Sequence, residues 1–257
     1  MYPSGPELHA GEVQLWLAPL PMIHDAELLE RYPALLSADE TARLHRFHFP
    51  KDKHRYLVTR ALVRAVLSFY ADISPSEWRF ASNYYGRPSI SNEGGAVRDL
   101  HFNTSHSSDL VVCAVRKSGS IGVDTENLDR TIPSEGLDRY FSDFEQAALR
   151  AVPPGRRTLR FLELWTLKES YIKAREIGLS LPLSEFGFEF PSENEVGAIF
   201  RNGDRADRWA FWQLRFGRGD LVAICSERNC VPSLTARVLI PLQGMHPADI
   251  HLLRSTA

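Results

Sequence analysis

The chain has 257 residues, of which 44% are hydrophobic and 24% charged, so its composition is globular and excludes disordered, collagen-like and coiled-coil classes. Its formal net charge of −2 gives no global preference for nucleic acid or for an anionic membrane. No apolar run approaches the roughly 18 residues that a membrane-spanning helix needs, and the N-terminus lacks the pattern of a secretory signal.

The residue pattern from about 12 to 125 predicts one strand, two helices and then three further strands. Residues 12–20 form an apolar strand, and Ser37 with Glu40 forms a capping box that opens a short helix. After Pro50, apolar residues recur at spacings of three and four, which predicts a longer helix over about 51–71. Turn residues follow at 83–90, and short strands are predicted near 101–104, 109–116 and 120–125.

The second part of the chain repeats this alternation. Ser142 and Glu145 form another capping box, and a long helix is predicted over about 156–175. Further strands are expected at 186–190, 208–216 and 220–226, whereas the tail after residue 230 has no strong pattern. The three cysteines are Cys113, Cys225 and Cys230. Because the first two lie in apolar runs, we expect buried thiols in a reducing compartment, and neither a disulfide framework nor a zinc site.

A faint internal repeat links the two parts. Residues 108–113 resemble residues 219–224 at an offset of 111 residues, and a predicted helix precedes each copy at a similar distance. Apolar strands resemble one another by chance, but the matching helices favour a duplication. We therefore predict an α+β fold of two similar halves with pseudo-twofold symmetry, spanning 1–118 and 119–257, with the tail from about 228 in the second half.

Asp124 and Glu126 end one predicted strand with two carboxylates at positions i and i+2. In an extended chain these side chains point to the same face, where they repel each other unless a cation lies between them. Carboxylate oxygens suit a hard cation, Mg²⁺ above all. Taken alone, the pattern is more often a strand that runs out into a solvated acidic turn.

Trp165, Glu169 and Lys173 recur every four residues and share one face of the long predicted helix. An aromatic anchor beside an ordinary surface Glu–Lys pair explains this spacing, and such a pair contributes only a few tenths of a kcal/mol. In the functional alternative, Glu169 is a third metal ligand or a general base, and Lys173 binds a phosphate.

Two further segments are rich in polar or basic residues. Residues 102–107 place small polar side chains and His106 between two strands, for which a capped turn is an equally good explanation. Residues 43–60 contain six Lys or Arg, three His and one acid, which is a local patch for phosphate or, alternatively, a solvated basic helix face. RNA binding is a lesser alternative, because neither an aromatic-rich single-strand platform nor an RNA-binding signature is present.

These segments, in this order, resemble the Sfp-type 4′-phosphopantetheinyl transferases. The family pattern is a His-Ser turn, then Gly-x-Asp-x-Glu, then about forty residues later Trp-x-x-Lys-Glu-Ser/Ala-x-x-Lys. The matching segments here are residues 103–107, 122–126 and 165–173, together with His54-Arg55, the turn Tyr85-Gly86-Arg87-Pro88 and residues 178–183. The resemblance covers roughly 37–226, and its motifs are specific in combination rather than singly.

The resemblance implies an enzyme that moves the 4′-phosphopantetheine arm of coenzyme A onto a serine of an acyl or peptidyl carrier protein. Adenosine 3′,5′-bisphosphate would be released, and the carriers would belong to fatty-acid, polyketide or non-ribosomal peptide synthases. It also implies that coenzyme A and the active site lie in the cleft between two α+β halves. We expect a cytoplasmic monomer without nucleic-acid or membrane partners.

Residue roles follow from the resemblance position by position. Asp124 and Glu126 would hold Mg²⁺, or alternatively Mn²⁺, with Glu169 as third ligand, base, or both. Lys173 would contact the pyrophosphate, with Lys168 beside it. The implied coenzyme A contacts are Lys168 and Lys173 at the pyrophosphate side, Arg55 and His106 with help from Arg43 at the 3′-phosphate, and Tyr85, Gly86, Arg87 and Ser105 at the adenine.

Three positions depart from the family pattern. Family members often carry Lys where this chain has Glu40, Arg87 stands at the turn lysine, and Glu176 replaces the first Gly after the helix. Glu40 puts the strength of the phosphate site in doubt. Glu176 puts the preference for particular carrier proteins in doubt. The alternative from another class is a non-catalytic module that binds carrier proteins. Loss of a carboxylate from the metal set would have favoured that module, and all three are present.

Overall fold

The computed structural model describes residues 5–132, 140–178, 181–228 and 230–256. The chain divides into two compact units: Met1–Ser118 with Ser233–Ala248, and Gly119–Pro232 with Asp249–Ala257. Two residues of the family-like segment 178–183, Leu179 and Ser180, lie outside the described residues. In the part of the chain that is described, every helix is too short or too polar to cross a membrane.

Six helices and thirteen strands make up the described chain, apart from short 3₁₀ turns. Up to residue 118 they are β1 (Glu12–Pro19), α1 (Ala26–Arg31), α2 (Ala38–Leu44), α3 (Pro50–Leu67), β2 (Phe80–Ser82), β3 (Pro88–Ile90), α4 (Gly95–Arg98), β4 (Leu100–His106) and β5 (Leu110–Lys117). The remainder are β6 (Ile121–Asn127), α5 (Asp143–Ala151), α6 (Pro154–Arg175), β7 (Phe186–Glu189), β8 (Gly197–Phe200), β9 (Trp209–Phe216), β10 (Asp220–Glu227), β11 (Ser233–Ile240), β12 (Gly244–Pro247) and β13 (Ile250–Ser255).

The first unit is a five-stranded sheet, in the order β12-β11-β1-β5-β4, with α3 packed against it. Pro50 begins α3 at a position where a helix needs no backbone N–H donor. The α3 residues Val58, Leu62 and Val66 follow at four-residue spacing and are fully buried. They share one hydrophobic core with Trp16 of β1 and other sheet residues.

The second unit is a four-stranded antiparallel sheet, in the order β13-β9-β10-β6, with α6 packed across β6 and β10. Gly122 determines how closely β6 and α6 approach. A Cβ atom at this position would lie 2.0 Å from the Ser170 carbonyl oxygen and 2.5 Å from the Ala174 nitrogen. Any side chain here would therefore push away the helix that carries Glu169 and Lys173.

The predicted duplication is confirmed by the strand order. In the first unit the chain runs β1, α3, β4, β5, and these strands lie in the order β1-β5-β4. In the second unit it runs β6, α6, β9, β10, and the order is β6-β10-β9. The two resembling segments fall on β5 and β10, the middle strands of these trios, where Cys113 and Cys225 are buried free thiols. The fold is α+β with two similar halves.

The prediction that residues 119–257 form the second half is wrong for residues 233–248. β11 pairs in parallel with β1, from Glu12 opposite Ser233 to Leu17 opposite Val238, and therefore extends the sheet of the first unit. β13 pairs with β9 and returns the chain to the second unit. The tail had no strong pattern because only the last three residues of β11 are buried, so its pairing depends mainly on backbone hydrogen bonds.

Candidate functional site

β6 and α6 bring four charged side chains together in the second unit. Asp124 and Glu126 share one face of β6, and Glu169 and Lys173 lie one turn apart on α6. The Lys173 ammonium donates to Asp124 Oδ1 at 2.7 Å and to the Val123 carbonyl at 3.0 Å. Two motifs that are far apart in the sequence therefore form one cluster, which we call the β6–α6 cluster.

The carboxylates of the β6–α6 cluster influence one another. Burial raises the pKa of Glu169 to about 7; the Asp124 and Glu126 carboxylates also raise it, and Lys173 opposes them. Burial likewise raises the pKa of Glu126, against the lowering effect of its hydrogen bond with Arg130. A carboxyl group with a pKa near neutrality exchanges its proton readily under physiological conditions. Glu169 is thus suited to take or give a proton.

The donor set of the β6–α6 cluster fits a magnesium ion, although its side chains now bond to the protein itself. Asp124 is ion-paired with Lys173, and Glu126 with Arg130. Among the described residues, no three His, Cys, Asp or Glu side chains are already gathered as metal ligands. Magnesium sites commonly use only one or two protein carboxylates, with water and substrate phosphates completing the shell. Asp124 and Glu126 supply such a pair on one strand face.

Arg130 was not predicted from the sequence. It lies four residues after Glu126, just beyond the end of β6, and its guanidinium is ion-paired with the Glu126 carboxylate. The i, i+4 spacing was the available signal, but such spacing implies contact only in a helix. Here the contact arises because the chain turns immediately after β6.

Arg43 and Arg55, expected at the 3′-phosphate, lie on α2 and α3 of the first unit. Arg43 is exposed, and its guanidinium carbon lies 5.6 Å from the Tyr56 ring centroid. It lines a surface depression of about 620 Å³ together with Arg46, another of the six basic residues of segment 43–60. Arg55 is partly exposed and donates to Asp52 Oδ1 at 2.7 Å.

Glu40 does not extend this basic surface, because its carboxylate is bonded to neighbouring groups of the protein. Its carboxylate accepts from the Ser37 backbone N–H, as the predicted capping box requires. It also accepts from the buried Arg64 at 2.5 Å and lies 3.5 Å from Arg60. The carboxylate neutralises charge beneath α2 and cannot donate to a phosphate.

Tyr85, Gly86 and Arg87 form the turn between β2 and β3. The Asn83 side chain accepts from the backbone N–H groups of Tyr85 and Arg87 at 2.9 and 3.0 Å, which closes the loop. Gly86 has φ of 80°, in the left-handed region that favours glycine. Tyr85 is 50% exposed, so its ring can stack against a ligand.

Ser105 and His106 lie at the end of β4, where Ser105 is buried and His106 exposed. The capped turn considered as an alternative is present: Ser107 Oγ accepts from the Leu110 backbone N–H at 3.1 Å. This turn leads directly into β5. A structural cap and an exposed histidine therefore occur in the same segment.

The prediction that Lys168 binds coenzyme A is wrong, because Lys168 has no exposed surface. Its ammonium lies 2.9 Å from Glu145 Oε2, in a pair with no side-chain exposure on either side, and donates to the Phe186 and Leu183 carbonyls. Burial lowers the pKa of Lys168, and Glu145 opposes that shift. Glu145 also accepts from the backbone N–H groups of Ser142 and Phe188. The pair ties α6 to the start of α5 and to β7.

Replacement of Lys168 should therefore affect stability. We expect Lys168→Met to lower the free energy of unfolding by at least about 3 kcal/mol, because it leaves the Glu145 charge buried without its cation. The Glu145→Gln/Lys168→Met double variant should recover part of this loss. Urea denaturation of both variants, beside the exposed control Lys53→Met, measures the effect. A loss below about 1 kcal/mol for Lys168→Met would contradict the buried pair.

Comparison with known proteins adds independent information. Two family models match in succession: "4′-phosphopantetheinyl transferase, N-terminal" over residues 25–118 and "4′-phosphopantetheinyl transferase superfamily" over residues 120–225. The chain is 36% identical over 179 residues to 4′-phosphopantetheinyl transferase HetI of Nostoc sp., which covers 69% of this chain and 74% of that protein.

Two further relatives carry the same description. Identity to 4′-phosphopantetheinyl transferase Sfp of Bacillus subtilis is 36% over 167 residues, covering 65% of this chain and 72% of that protein. Identity to 4′-phosphopantetheinyl transferase gsp of Aneurinibacillus migulanus is 25% over 223 residues, covering 87% and 90% respectively. The similarity therefore extends over both units.

Proposed function

Because this chain belongs to the 4′-phosphopantetheinyl transferase superfamily, we propose that it transfers the phosphopantetheine arm of coenzyme A to a serine of an apo acyl or peptidyl carrier protein. Adenosine 3′,5′-bisphosphate is the second product. The observation that carries this proposal is the β6–α6 cluster, in which Lys173 bonds to Asp124 and Glu169 has a pKa near 7.

The reaction requires a proton acceptor and positive charge at the phosphates. The serine oxygen attacks the β-phosphorus of coenzyme A, the bond from that phosphorus to the bridging oxygen breaks, and the hydroxyl proton must leave. Glu169 takes this proton, since its raised pKa brings it close to the operating pH. Lys173 moves from Asp124 to the pyrophosphate, where its ammonium stabilises negative charge.

Asp124 and Glu126 would hold Mg²⁺, or alternatively Mn²⁺, and Glu169, whose pKa both carboxylates raise, would approach the metal as a third ligand only after a side-chain movement. A metal held there would neutralise phosphate oxygens and so make the phosphorus easier to attack. Carboxylates that repel one another are a suitable donor set, because a cation relieves that repulsion. Lys173 and Arg130 would have to give up their bonds to the two ligands.

The first unit would bind the nucleotide end of coenzyme A. Arg55, His106 and Arg43 are assigned to the 3′-phosphate, and the exposure of the last two supports the assignment. Tyr85, Gly86, Arg87 and Ser105 are assigned to the adenine. The exposed ring of Tyr85 and the backbone of its glycine turn support that role, whereas the burial of Ser105 does not. We propose a monomeric enzyme.

Mass spectrometry of apo-carrier proteins tests the proposed function. A panel of acyl and peptidyl carriers is incubated with coenzyme A, Mg²⁺ and the protein, and the mass of phosphopantetheine should appear on the carrier serine. A carrier with that serine replaced by alanine is the control. Binding of carriers and coenzyme A with no mass gain on any of them would instead indicate a non-catalytic carrier-binding module.

The 3′-phosphate assignment predicts a selective effect of Arg55. Arg55→Ala should weaken coenzyme A binding by about ten- to a hundredfold, because a charge-assisted hydrogen bond is lost. Dephospho-coenzyme A lacks the 3′-phosphate, so its binding should hardly change. Calorimetry with both ligands gives the comparison, and Arg31→Ala, an exposed arginine at the end of α1, is the control. Equal losses for the two ligands would place Arg55 away from the 3′-phosphate.

A further inference from the structure

The second unit contains an arginine-lined groove that the transferase chemistry does not use. It has a volume of about 680 Å³ and lies between the beginning of α6, the segment after β7, and strands β9 and β13. Its four arginines are Arg156 and Arg160 of α6, Arg215 of β9 and Arg254 of β13. We call it the arginine groove. It does not overlap the β6–α6 cluster: Glu163 of the groove and Glu169 are six positions apart on α6 and point to different sides.

A β-bulge brings Arg254 into the arginine groove. Along β13, His251 pairs with Arg215 and Leu252 with Leu214, but the next partner, Gln213, pairs with Arg254. One residue of β13 is therefore extra, and Arg254 falls on the same sheet face as His251 and Arg215. Regular pairing would have turned Arg254 to the opposite face, because successive strand residues alternate. Bulges re-aim side chains in this way and are frequent beside functional sites.

Buried contacts hold two of the guanidinium groups in place. Arg254 is 8% exposed and donates to Gln213 Oε1 at 2.7 Å and to Glu163 Oε1 at 3.2 Å. Arg160 forms the other ion pair of Glu163, at 3.0 Å. Both guanidinium carbons lie close to the Phe190 ring centroid, at 4.0 Å for Arg254 and 4.6 Å for Arg160. The arginine groove therefore has a fixed, ordered wall.

The arginine groove carries more positive than negative charge, because four arginines line it against two carboxylates, Glu163 and Glu193. Glu163 is the buried carboxylate shared by Arg160 and Arg254, whereas neither Arg156 nor Arg215 has an ion-pair partner among the described residues. The Nε–H groups of Arg215 and Arg254 are buried without a hydrogen-bond acceptor among the described residues. Unsatisfied buried donors and adjacent like charges are both costly. An anion that bonds to the outward guanidinium nitrogens would relieve the like-charge repulsion.

We propose that the arginine groove binds a small polyanion bearing phosphate or carboxylate groups. Guanidinium groups recognise both groups by paired, parallel hydrogen bonds. The volume falls within the range of small-molecule sites, so it exceeds what a single inorganic ion needs. Leu159 and Leu253 add an apolar part to the lining, which suits a ligand with a short hydrocarbon portion.

Calorimetry tests the arginine groove with two probes, inorganic pyrophosphate and citrate, in magnesium-free buffer at constant ionic strength. At least one probe should bind to the wild-type chain. The Arg156→Ala/Arg215→Ala double variant should bind that probe at least about tenfold more weakly, through loss of charge-assisted contacts. Preference for pyrophosphate would identify a phosphorylated ligand, and preference for citrate a polycarboxylate. Arg205→Ala, an exposed arginine of the same unit outside the groove, should bind as wild type does.

Three results would overturn the proposal. They are no binding of either probe, unchanged affinity in the double variant, and loss of binding in Lys173→Ala or Arg55→Ala, which would assign the anion to the proposed transferase site. Thermal melts establish that the variants fold. If the double variant does not, Arg156→Glu replaces it, because Arg156 is exposed and its charge reversal should weaken binding without disturbing the core.

Discussion

Glu169→Gln should lower kcat for phosphopantetheine transfer by at least about a hundredfold, the usual size of a lost general base. Glutamine keeps the shape of the side chain but cannot take a proton from the carrier serine. The thermal melting temperature should be unchanged or slightly higher. Burial and two neighbouring carboxylates already raise the pKa of Glu169 to about 7, so this environment accepts a neutral side chain well. Steady-state kinetics beside thermal melts measure both quantities.

A matched control separates this effect from a general loss of negative charge. Glu189, at the end of β7 in the same unit, is exposed, and Glu189→Gln should leave kcat unchanged. Near-wild-type turnover in Glu169→Gln would mean that Glu169 is not the general base of the reaction. The proposed function would then rest on Asp124 and Glu126 alone.

Asp124→Asn should reduce transfer still further, by roughly a thousandfold, because charge stabilisation at the phosphates is lost together with the carboxylate. The fold should survive, since the asparagine oxygen can still accept the Lys173 hydrogen bond that Asp124 accepts now. Chelation by EDTA should stop the wild-type enzyme, and added Mg²⁺ or Mn²⁺ should restore it. Carrier modification followed by mass spectrometry gives the rates.

The exposed Asp129, just beyond β6, provides the control for this variant, and Asp129→Asn should behave as wild type. Full activity of the wild-type enzyme in EDTA would remove the metal from the proposed mechanism. Full activity of Asp124→Asn with Mg²⁺ present would remove Asp124 as a ligand. A large fall in melting temperature for Asp124→Asn would show that its pairing with Lys173 is structural rather than catalytic.

Much of the fold could be predicted because it depends on neighbouring residues. The capping boxes at Ser37 and Ser142, the period of α3 and α6, and the three strands between 100 and 127 each arise from local hydrogen bonding or side-chain spacing. The sequence also predicted that Asp124 and Glu126 share one face and that Glu169 and Lys173 share another. The reason is that an extended i, i+2 pair and a helical i, i+4 pair each lie on one side of their element. The repeated segments likewise indicated the duplication.

Features that depend on residues far apart in the chain were decided only by the tertiary structure. Lys168 is adjacent to Glu169 in the sequence, but the two side chains lie on different faces of α6. The Lys168 side chain is buried against Glu145 and does not face a ligand. β11 comes from the other end of the chain and pairs with β1 through backbone hydrogen bonds. Backbone hydrogen bonds do not depend on the order of side chains, so the sequence pattern does not predict this pairing.

The sequence by itself determined which local elements form, that the fold is α+β with two similar halves, and which charged side chains share a face. Only the tertiary structure decided the depth of burial, and with it the raised pKa of Glu169, because desolvation depends on everything packed around a group. The arginine groove has the same origin. Its wall requires a one-residue bulge in β13 that reverses the face of Arg254, and alternation along a regular strand predicts the opposite.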